Sequence, residues 1–181
     1  MYVFDYEERQ EYSLQVVARL LISSRNVDIS RTITVIVLII DVNDNAPMFV
    51  SFPFSLTWPE NRTNEELIHQ IVASDADSGI NQMLVYSILN DDLLDVFRID
   101  NQTGDLYAAV SLDREERESY SITIEVSDLG SPANSVRETI DFRLLDVNDN
   151  APVLTTTFEI HVFERTEPRP LVNLTADDQD V

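Results

Sequence analysis

The 181-residue chain contains no cysteine and only three glycines, which are widely separated at Gly79, Gly104 and Gly130. Without cysteine the chain has no disulfide framework, thiol nucleophile, zinc finger or iron–sulfur site. Three isolated glycines cannot form a Gly-rich phosphate-binding loop, so the main signature of nucleotide-binding folds is missing. The sequence therefore offers none of the sites that depend on cysteine or on clustered glycine.

Basic residues and long hydrophobic runs are also scarce. Twelve Lys and Arg residues stand against 33 Asp and Glu residues, which gives a net charge of −21. So negative a chain would be repelled by phosphate, which makes nucleic acid and anionic membrane surfaces poor partners and metal cations better ones. The longest apolar run, residues 35–40, is far shorter than the roughly 20 residues of a membrane helix. The acidic N-terminus has no signal-peptide pattern.

The sequence contains an internal repeat. The string DVNDNAP occupies residues 41–47 and recurs unchanged at residues 146–152. Three more pairs keep the same order and nearly the same spacing: FDYE at 4–7 with LDRE at 112–115, PEN at 59–61 with FER at 163–165, and ASDAD at 73–77 with ADDQD at 176–180. Such ordered recurrence indicates a tandem array. We predict the C-terminal part of one repeat over residues 1–46, a complete repeat over 47–151 and the N-terminal part of a further repeat over 152–181.

Short alternating segments predict β-strands in the complete repeat. Residues 120–126 alternate strictly, which places four apolar side chains on one face. The other predicted strands are residues 84–88, 96–99, 106–110 and 139–145, with turn residues between them. Residues 63–72 carry a capping-box pattern typical of a helix, but their surroundings favour a strand. These features predict an all-β sandwich with Greek-key connections.

The acidic residues recur at the boundaries between units. Hard cations such as calcium bind six to eight oxygen atoms from carboxylates, side-chain amides and backbone carbonyls. The DVNDN part of each string supplies all three kinds of oxygen, and the following proline stiffens the exit from the site. A single such string would be interpreted as a turn. Its unchanged recurrence at the boundary between units favours calcium binding instead.

These motifs resemble those of cadherin extracellular repeats over essentially the whole chain. The shared motifs are PEN at 59–61, DADSGIN at 75–81, LDRE at 112–115, VSD at 126–128 and both DVNDNAP strings. The DVNDNAP form is most similar to protocadherin, Fat and Dachsous-type cadherins. The resemblance implies tandem seven-stranded Greek-key β-sandwiches with three calcium ions at each junction between repeats. It also implies a location on the extracellular side of the plasma membrane, with a transmembrane anchor outside this fragment.

At the first junction, between residues 1–46 and the complete repeat, the resemblance assigns ligands to three ions. The outermost ion would be held by Asp5, Glu7 and Asp44. The middle ion would be held by Glu7, Asp41, the Val42 carbonyl, Asp44 and Asp77. The innermost ion would be held by Asn43, the Asn45 carbonyl, Asp75, Asp77, the Asn81 carbonyl and Asp128.

At the second junction, after the complete repeat, the resemblance assigns an equivalent set. The outer pair of ions would be held by Glu60, Asp113, Glu115, Asp146, the Val147 carbonyl, Asp149 and Asp180. The third ion would be held by Asn148, the Asn150 carbonyl, Asp178 and Asp180, together with ligands beyond Val181. Leu20 stands at the position that matches Asp128. Because its side chain cannot bind calcium, the junction before this fragment is expected to lack its innermost ion.

The resemblance implies calcium-dependent cell–cell adhesion or recognition. The partner would be another cadherin ectodomain on an apposed cell, bound homophilically or heterophilically. A repeat in the middle of an array could instead be a spacer that sets reach and stiffness without touching the partner. The sequons at Asn61, Asn101 and Asn173 are candidate N-glycosylation sites in an extracellular protein.

The acidic residues also suggest two functions other than adhesion. Carboxylate pairs such as Asp75 with Asp77 could serve a glycosidase, but a catalytic site occurs once and in a cleft, whereas these acids repeat at junctions. The sequence is therefore not expected to be an enzyme. An EF-hand beginning at Asp75 would need Gly and Glu at the positions of Ile80 and Tyr86, so that pattern fails.

Overall fold

The computed structural model describes residues 3–22, 27–62, 65–154 and 173–180, together with residues 161, 164 and 170. Its regular structure is almost entirely β. The strands are β1 (Glu11–Ile22), β2 (Val27–Leu38), β3 (Met48–Ser51), β4 (Ser55–Pro59), β5 (Leu67–Gln70), β6 (Val72–Ser74), β7 (Leu84–Ile88), β8 (Phe97–Ile99), β9 (Asp105–Ala108), β10 (Ser119–Asp128), β11 (Ser135–Leu145), β12 (Val153–Leu154) and β13 (Ala176–Asp177). A 3-10 turn, Asp91–Leu93, follows β7. Over these described ranges, no helix is long and apolar enough to cross a membrane.

Residues 47–151, the predicted complete repeat, form two sheets. The first has the order β4-β11-β10-β7, with β4 parallel to β11 and the other neighbours antiparallel. The second contains β5, β9 and β8, and it is extended by the pair β3 and β6. Only Ile71 separates β5 from β6, so these two segments are one interrupted strand. Because β3 pairs in one sheet and β4 in the other, the first strand of the repeat switches sheets.

Counted in this way, the complete repeat has seven strands, as the resemblance to cadherin repeats implies. After the first strand, the chain crosses between the sheets before β5, β7, β8 and β10, which gives the expected Greek-key sandwich. The strands predicted at 84–88, 96–99, 106–110, 120–126 and 139–145 are confirmed to within two residues at most ends. The segment with helical spacing also contains strands, β5 and β6.

The core lies between the two sheets. All four apolar side chains on the predicted face of β10 are buried: Tyr120, Ile122, Ile124 and Val126. Phe97 from β8 packs edge-to-face on Tyr120 and on Phe142 from β11, with ring centroids 5.1 and 5.2 Å apart. Fully burying one such side chain contributes roughly 1.5–3 kcal/mol, so these rings join the sheets.

A second hairpin precedes the complete repeat. β1 and β2 pair antiparallel along their whole length, from Glu11 opposite Leu38 to Ile22 opposite Val27. This hairpin stands before the first DVNDNAP string as the β10–β11 hairpin stands before the second. The same local sequence arrangement therefore produces the same local structure at both places. After the second string, β12 and β13 form a short antiparallel pair.

Candidate metal centres

The pairing of the strands gathers the acidic motifs of the first junction at one end of the sandwich. Asp128 ends β10, opposite the first residue of β7, so the loop of residues 75–83 before β7 lies beside it. Met48 in β3 pairs with Ser74 in β6. This pairing brings residues 41–47, which lead into β3, next to the same loop.

Three carboxylates meet at the first junction. Oxygen atoms of Glu7, Asp41 and Asp77 all lie within 4.8 Å of one another. Glu7 comes from the turn before β1, Asp41 follows β2, and Asp77 follows β6. Asp77 is only 3% exposed. Three elements that are distant in sequence therefore converge on one point, as the predicted ligand set requires.

Asparagine and backbone amides fix the orientation of these carboxylates. The backbone and side-chain amides of Asn45 donate hydrogen bonds to Asp77 at 3.3 and 2.7 Å. Asp41 accepts hydrogen bonds from the Asn81 side chain at 2.9 Å and from the Ser78 backbone at 3.1 Å. These bonds tie the linker to the front of the complete repeat.

Asp128 anchors a second group at the same junction. It is 2% exposed, and its carboxylate accepts hydrogen bonds from Asn43 Nδ2 at 3.1 Å, from the Gly130 backbone at 2.9 Å and from the Asn134 backbone at 3.1 Å. The Asp75 carboxylate accepts a bond of 2.9 Å from the Asp77 backbone. Among the proposed innermost ligands, Asn43 is thus hydrogen-bonded to Asp128, and Asp77 to Asp75.

The remaining predicted groups of the first junction lie around these clusters. Asp5 accepts hydrogen bonds of 3.0 Å from the backbones of Glu7 and Glu8. The Val42 carbonyl accepts one of 2.8 Å from the Asp44 backbone, and the Asp44 carboxylate accepts one of 3.1 Å from the Asn45 side chain. Asp5 is not part of the carboxylate cluster formed by Glu7, Asp41 and Asp77.

The second junction gathers its carboxylates in two overlapping clusters. One consists of Glu60, Asp113 and Glu115, and the other of Glu115, Asp146 and Asp180, with ligand atoms within 4.8 Å in each. Glu60 is 2% exposed and accepts hydrogen bonds from the backbones of Arg114, at 2.6 Å, and Val147, at 2.8 Å. Glu60 therefore holds the LDRE motif and the second string together.

The two junctions repeat the same contacts. Asn150 donates its backbone and side-chain amides to Asp180 at 3.0 and 2.9 Å, as Asn45 does to Asp77. The Asp180 backbone donates to Asp178 at 3.2 Å, as that of Asp77 does to Asp75. Asn148 and Asp149 are exposed, and the Asp149 carboxylate accepts bonds from the side chains of Asn150, at 2.9 Å, and Asn61.

Several buried oxygen atoms of the predicted ligands have no hydrogen-bond partner. In the described part of the chain, five buried side-chain polar atoms have no hydrogen-bond partner. One is Trp58 Nε1, and the other four are acceptor oxygens: Asp41 Oδ1, Asn43 Oδ1, Asp75 Oδ2 and Glu115 Oε1. Buried polar atoms are rarely left unpaired, and a bound ion is one of the reasons. All four oxygens belong to predicted ligands, so the residues fit calcium.

The carboxylates also perturb one another. Loss of hydration raises the pKa of the Glu115 carboxyl above its ordinary value, and the carboxylates of Glu60, Asp113 and Asp149 raise it further. Loss of hydration likewise raises the pKa of Glu7, with the Asp41 and Asp44 carboxyls adding to it. The acids are therefore crowded enough for their negative charges to disfavour one another.

The pKa of the Asp41 carboxyl shifts in the opposite direction, below its ordinary value. Burial alone would raise the pKa of its carboxyl, but hydrogen bonds from Asn81 and Ser78 outweigh that effect and hold the pKa below its ordinary value. This carboxylate is therefore kept ionised by donors from the 75–83 loop.

Sequence reasoning missed three residues that shape the junctions. The Asn134 side chain donates to the Asn45 carbonyl at 2.9 Å, and Gly130 lies directly against the Asn43 side chain. At the second junction, Arg114 Nε forms an ion pair with Asp146 at 3.2 Å. Arg114 lies inside the LDRE motif, which was a usable signal. No motif marks Asn134, whose contact spans 89 residues of sequence.

The three sequons have different surroundings. Asn101 is exposed in the turn between β8 and β9, and Asn173 is exposed before β13. Asn61 has a backbone φ of +56°, and its side-chain amide contacts Asp149. A glycan on Asn61 would occupy the nitrogen that makes this contact.

Comparison with known proteins identifies the family. A model of the cadherin domain matches residues 54–145, just over half of the chain. Human Protocadherin-1 is 41% identical over 149 residues, which are 82% of this chain and 14% of that protein. Human Protocadherin Fat 4 is 34% identical over 179 residues, which are 97% of this chain and 4% of that protein. The chain thus spans a small fraction of the curated relatives it matches.

Solved structures support the same conclusion. The structure of a protocadherin gammaB7 EC3-6 cis-dimer aligns over 99% of this chain and 45% of that one, with a TM-score of 0.82 and 29% identity. Mouse Cadherin-23 EC22-24 aligns over 99% of this chain and 57% of that one, with a TM-score of 0.82 and 29% identity. The chain therefore belongs to the cadherin family, and the relatives it matches are cadherin-type proteins rather than enzymes. The predicted resemblance to protocadherin and Fat-type cadherins is confirmed.

Proposed function

We propose that this chain binds calcium at both junctions between its repeats and so stiffens an ectodomain that mediates cell–cell adhesion. The proposed units are residues 1–46, 47–151 and 152–181, with the junctions at the two DVNDNAP strings. The observation that carries the proposal is the set of four buried, unpaired oxygens, which all belong to the acidic junctions. Bound calcium would supply positive charge and shared ligation between neighbouring repeats.

Each group of residues has its own part in this function. Asp77 and Glu60 lie buried at the first and the second junction, where Asp77 bonds to the linker that precedes the complete repeat and Glu60 to the linker that follows it. Asn45 and Asn150 hold the two strings against Asp77 and Asp180. The chain itself thereby places the carboxylates close together, at the cost of mutual repulsion that a divalent cation would relieve.

The proposed partner is another cadherin ectodomain on an apposed cell, through either homophilic or heterophilic contact. Similarity to a structure described as a protocadherin cis-dimer supports contact between cadherin ectodomains as the kind of interaction. The parent protein would carry its membrane anchor in sequence outside this chain. The calcium junctions would act in such contact by fixing the angle between repeats, and so the surface that is presented.

The decisive test concerns Asp77, which the proposal assigns to both the middle and the innermost ion of the first junction. We expect Asp77→Ala to lower the number of calcium ions bound, or their affinity, because two sites lose a carboxylate. Calorimetric titration of the 181-residue chain measures both quantities. Asp91→Ala is the matched control, because Asp91 is exposed in the 3-10 turn. The free energy of unfolding of this variant should stay within about 0.5 kcal/mol of wild type.

The titration can also refute the assignment. Unchanged stoichiometry and affinity for Asp77→Ala would show that the ligand register of residues 75–77 is wrong. A wild-type chain that takes up no calcium would refute the proposed function itself. If Asp91→Ala were the damaging change, the ligand assignment in this repeat would fail.

A further inference from the structure

The loop after β10 reaches across the first junction to the linker. Asn43 Nδ2 donates to the Pro132 carbonyl at 2.6 Å and to the Asp128 carboxylate at 3.1 Å. In the other direction, Asn134 Nδ2 donates to the Asn45 carbonyl at 2.9 Å and, at 3.5 Å, to that of Asn43. The loop and the linker are therefore joined by reciprocal amide contacts.

The backbone of Asn134 is itself fixed. Its amide donates to the Asp128 carboxylate at 3.1 Å, and its carbonyl accepts from the Asp128 amide at 3.1 Å. Asn134 is also partly buried. Because the Asn134 backbone is already ordered, its side chain can orient a hydrogen-bond partner with little further loss of conformational entropy.

We infer that Asn134 is a positioning residue, which holds the Asn45 carbonyl in the direction that the innermost calcium ion of the first junction requires. The inference rests on the proposed calcium function of this junction. A backbone carbonyl has two lone pairs, so the Asn45 oxygen can accept the Asn134 bond and still bind a cation. Groups that orient a metal ligand without touching the metal commonly change affinity by one to two orders of magnitude.

The geometry favours this role over direct ligation by Asn134. Its side-chain nitrogen faces two carbonyl oxygens, those of Asn43 and Asn45. An oxygen in the same place would be repelled by both. A positioning role thus needs a hydrogen-bond donor at this point, whereas direct ligation of calcium needs an acceptor oxygen. The two roles therefore predict opposite effects of a carboxylate at residue 134 on calcium affinity.

The test uses the 181-residue chain, because all the proposed ligands of this ion lie within it. We expect Asn134→Leu, which keeps the approximate size but removes the donor, to weaken calcium binding at this site about tenfold. Asn134→Asp should weaken it at least as much despite its extra negative charge. Calcium titration followed through the amide NMR signals of Asn43 and Asn45 reports on calcium binding at this part of the linker.

A second readout does not depend on calcium. Without Asn134 Nδ2, the linker should open more often, so the Asn45 amide, which donates to Asp77, should exchange its hydrogen faster in chelator. Asn90→Leu is the matched control. Asn90 Oδ1 accepts a comparable bond of 2.6 Å from the Thr123 backbone inside the repeat, so its loss should lower stability but leave calcium affinity and Asn45 exchange unchanged.

The outcomes separate the hypotheses. Tighter binding by Asn134→Asp with weaker binding by Asn134→Leu would make Asn134 a direct ligand and overturn the inference. Wild-type behaviour of both variants would also overturn it. If the wild-type chain shows no calcium response, the proposed function fails, while the exchange of Asn45 in chelator still decides whether Asn134 holds the linker.

Discussion

Gly130 lies where no side chain can fit without moving Asn43. A Cβ atom built on Gly130 would overlap the amide group of Asn43, which is bound to Asp128. The backbone of Gly130 is not in the left-handed region that favours glycine, since only Gly79 and Gly104 have positive φ among the glycines. Glycine is therefore required here by the neighbouring side chain and not by the conformation.

The consequence is a selective effect of Gly130→Ala. The added methyl group should displace the Asn43 side chain and weaken calcium binding at the innermost site, with little strain in the backbone. The free energy of thermal unfolding in chelator should stay within about 1 kcal/mol of wild type. Calcium titration should show the loss of affinity at the innermost site. Ser131→Ala, in the same exposed loop, adds no atoms and should match wild type in both measurements. Equal calcium affinity for both variants would contradict this account of Gly130.

How far the site could be predicted differs from residue to residue. The recurrence of the DVNDNAP string marked Asp41 and Asp146, and the structure brings both into carboxylate clusters. Asn134 and Gly130 could not be found in this way. Their importance comes from linker atoms 85–90 residues away, which only the folded loop brings into contact.

At the level of single elements, local pattern and tertiary pairing do not always agree. Strand β10 alternates in sequence and buries the predicted face, because one side of it covers the core. Residues 67–72 have helical spacing, yet they lie in β5 and at the start of β6. There, Ile71 is fully buried and donates its backbone amide to the Gly104 carbonyl at 2.9 Å, so the second sheet determines the structure.

Strand β4 was not predicted for a related reason. Its sequence, SLTWP, ends in a proline and alternates only weakly. It becomes a strand by pairing parallel with β11, with Ser55 opposite Asp141, more than 80 residues later in the chain. A single sequence gives no signal for such a distant pairing.

Phe142 shows what joins the two sheets. Its ring is fully buried on β11 and packs against Phe97 of the opposite sheet at a centroid distance of 5.2 Å. We expect Phe142→Ala to lower the free energy of unfolding by about 3–5 kcal/mol, because it removes an aromatic contact and leaves a cavity. Urea unfolding at fixed calcium measures this change. Arg143→Ala, on the exposed face of the same strand, should change stability by about 0.5 kcal/mol or less. Similar losses for both variants would show that the core does not lie between these sheets.

Across the whole molecule, the β1–β2 hairpin differs from its β10–β11 equivalent in one respect. Leu14, Val16, Leu20, Ile33 and Ile36 are all about half exposed or more. The corresponding hairpin of the complete repeat buries one face against the second sheet. The proposed assignment of residues 1–46 to the end of a further repeat accounts for this difference, because such a repeat would supply the strands that cover the hairpin.

Calcium should also change the shape of the whole chain. The carboxylates at each junction repel one another, so the linkers should bend more freely in chelator. Calcium at a hundredfold excess over its Kd should stabilise the ordered state by about 2.7 kcal/mol, which raises the melting temperature. Small-angle scattering should show a larger maximum dimension with calcium than without it, because the linkers bend less.

Sodium chloride separates bridging from simple screening in that experiment. At about 1 M salt the Debye length is roughly 3 Å, so repulsion between exposed carboxylates is largely screened. If calcium acts by shared ligation across the junction, high salt in chelator should relieve the repulsion but leave the linkers flexible and the melting temperature low. If salt alone reproduces both calcium effects, the acidic junctions respond only to ionic strength. Identical scattering and melting in calcium and in chelator would exclude any stiffening by the metal.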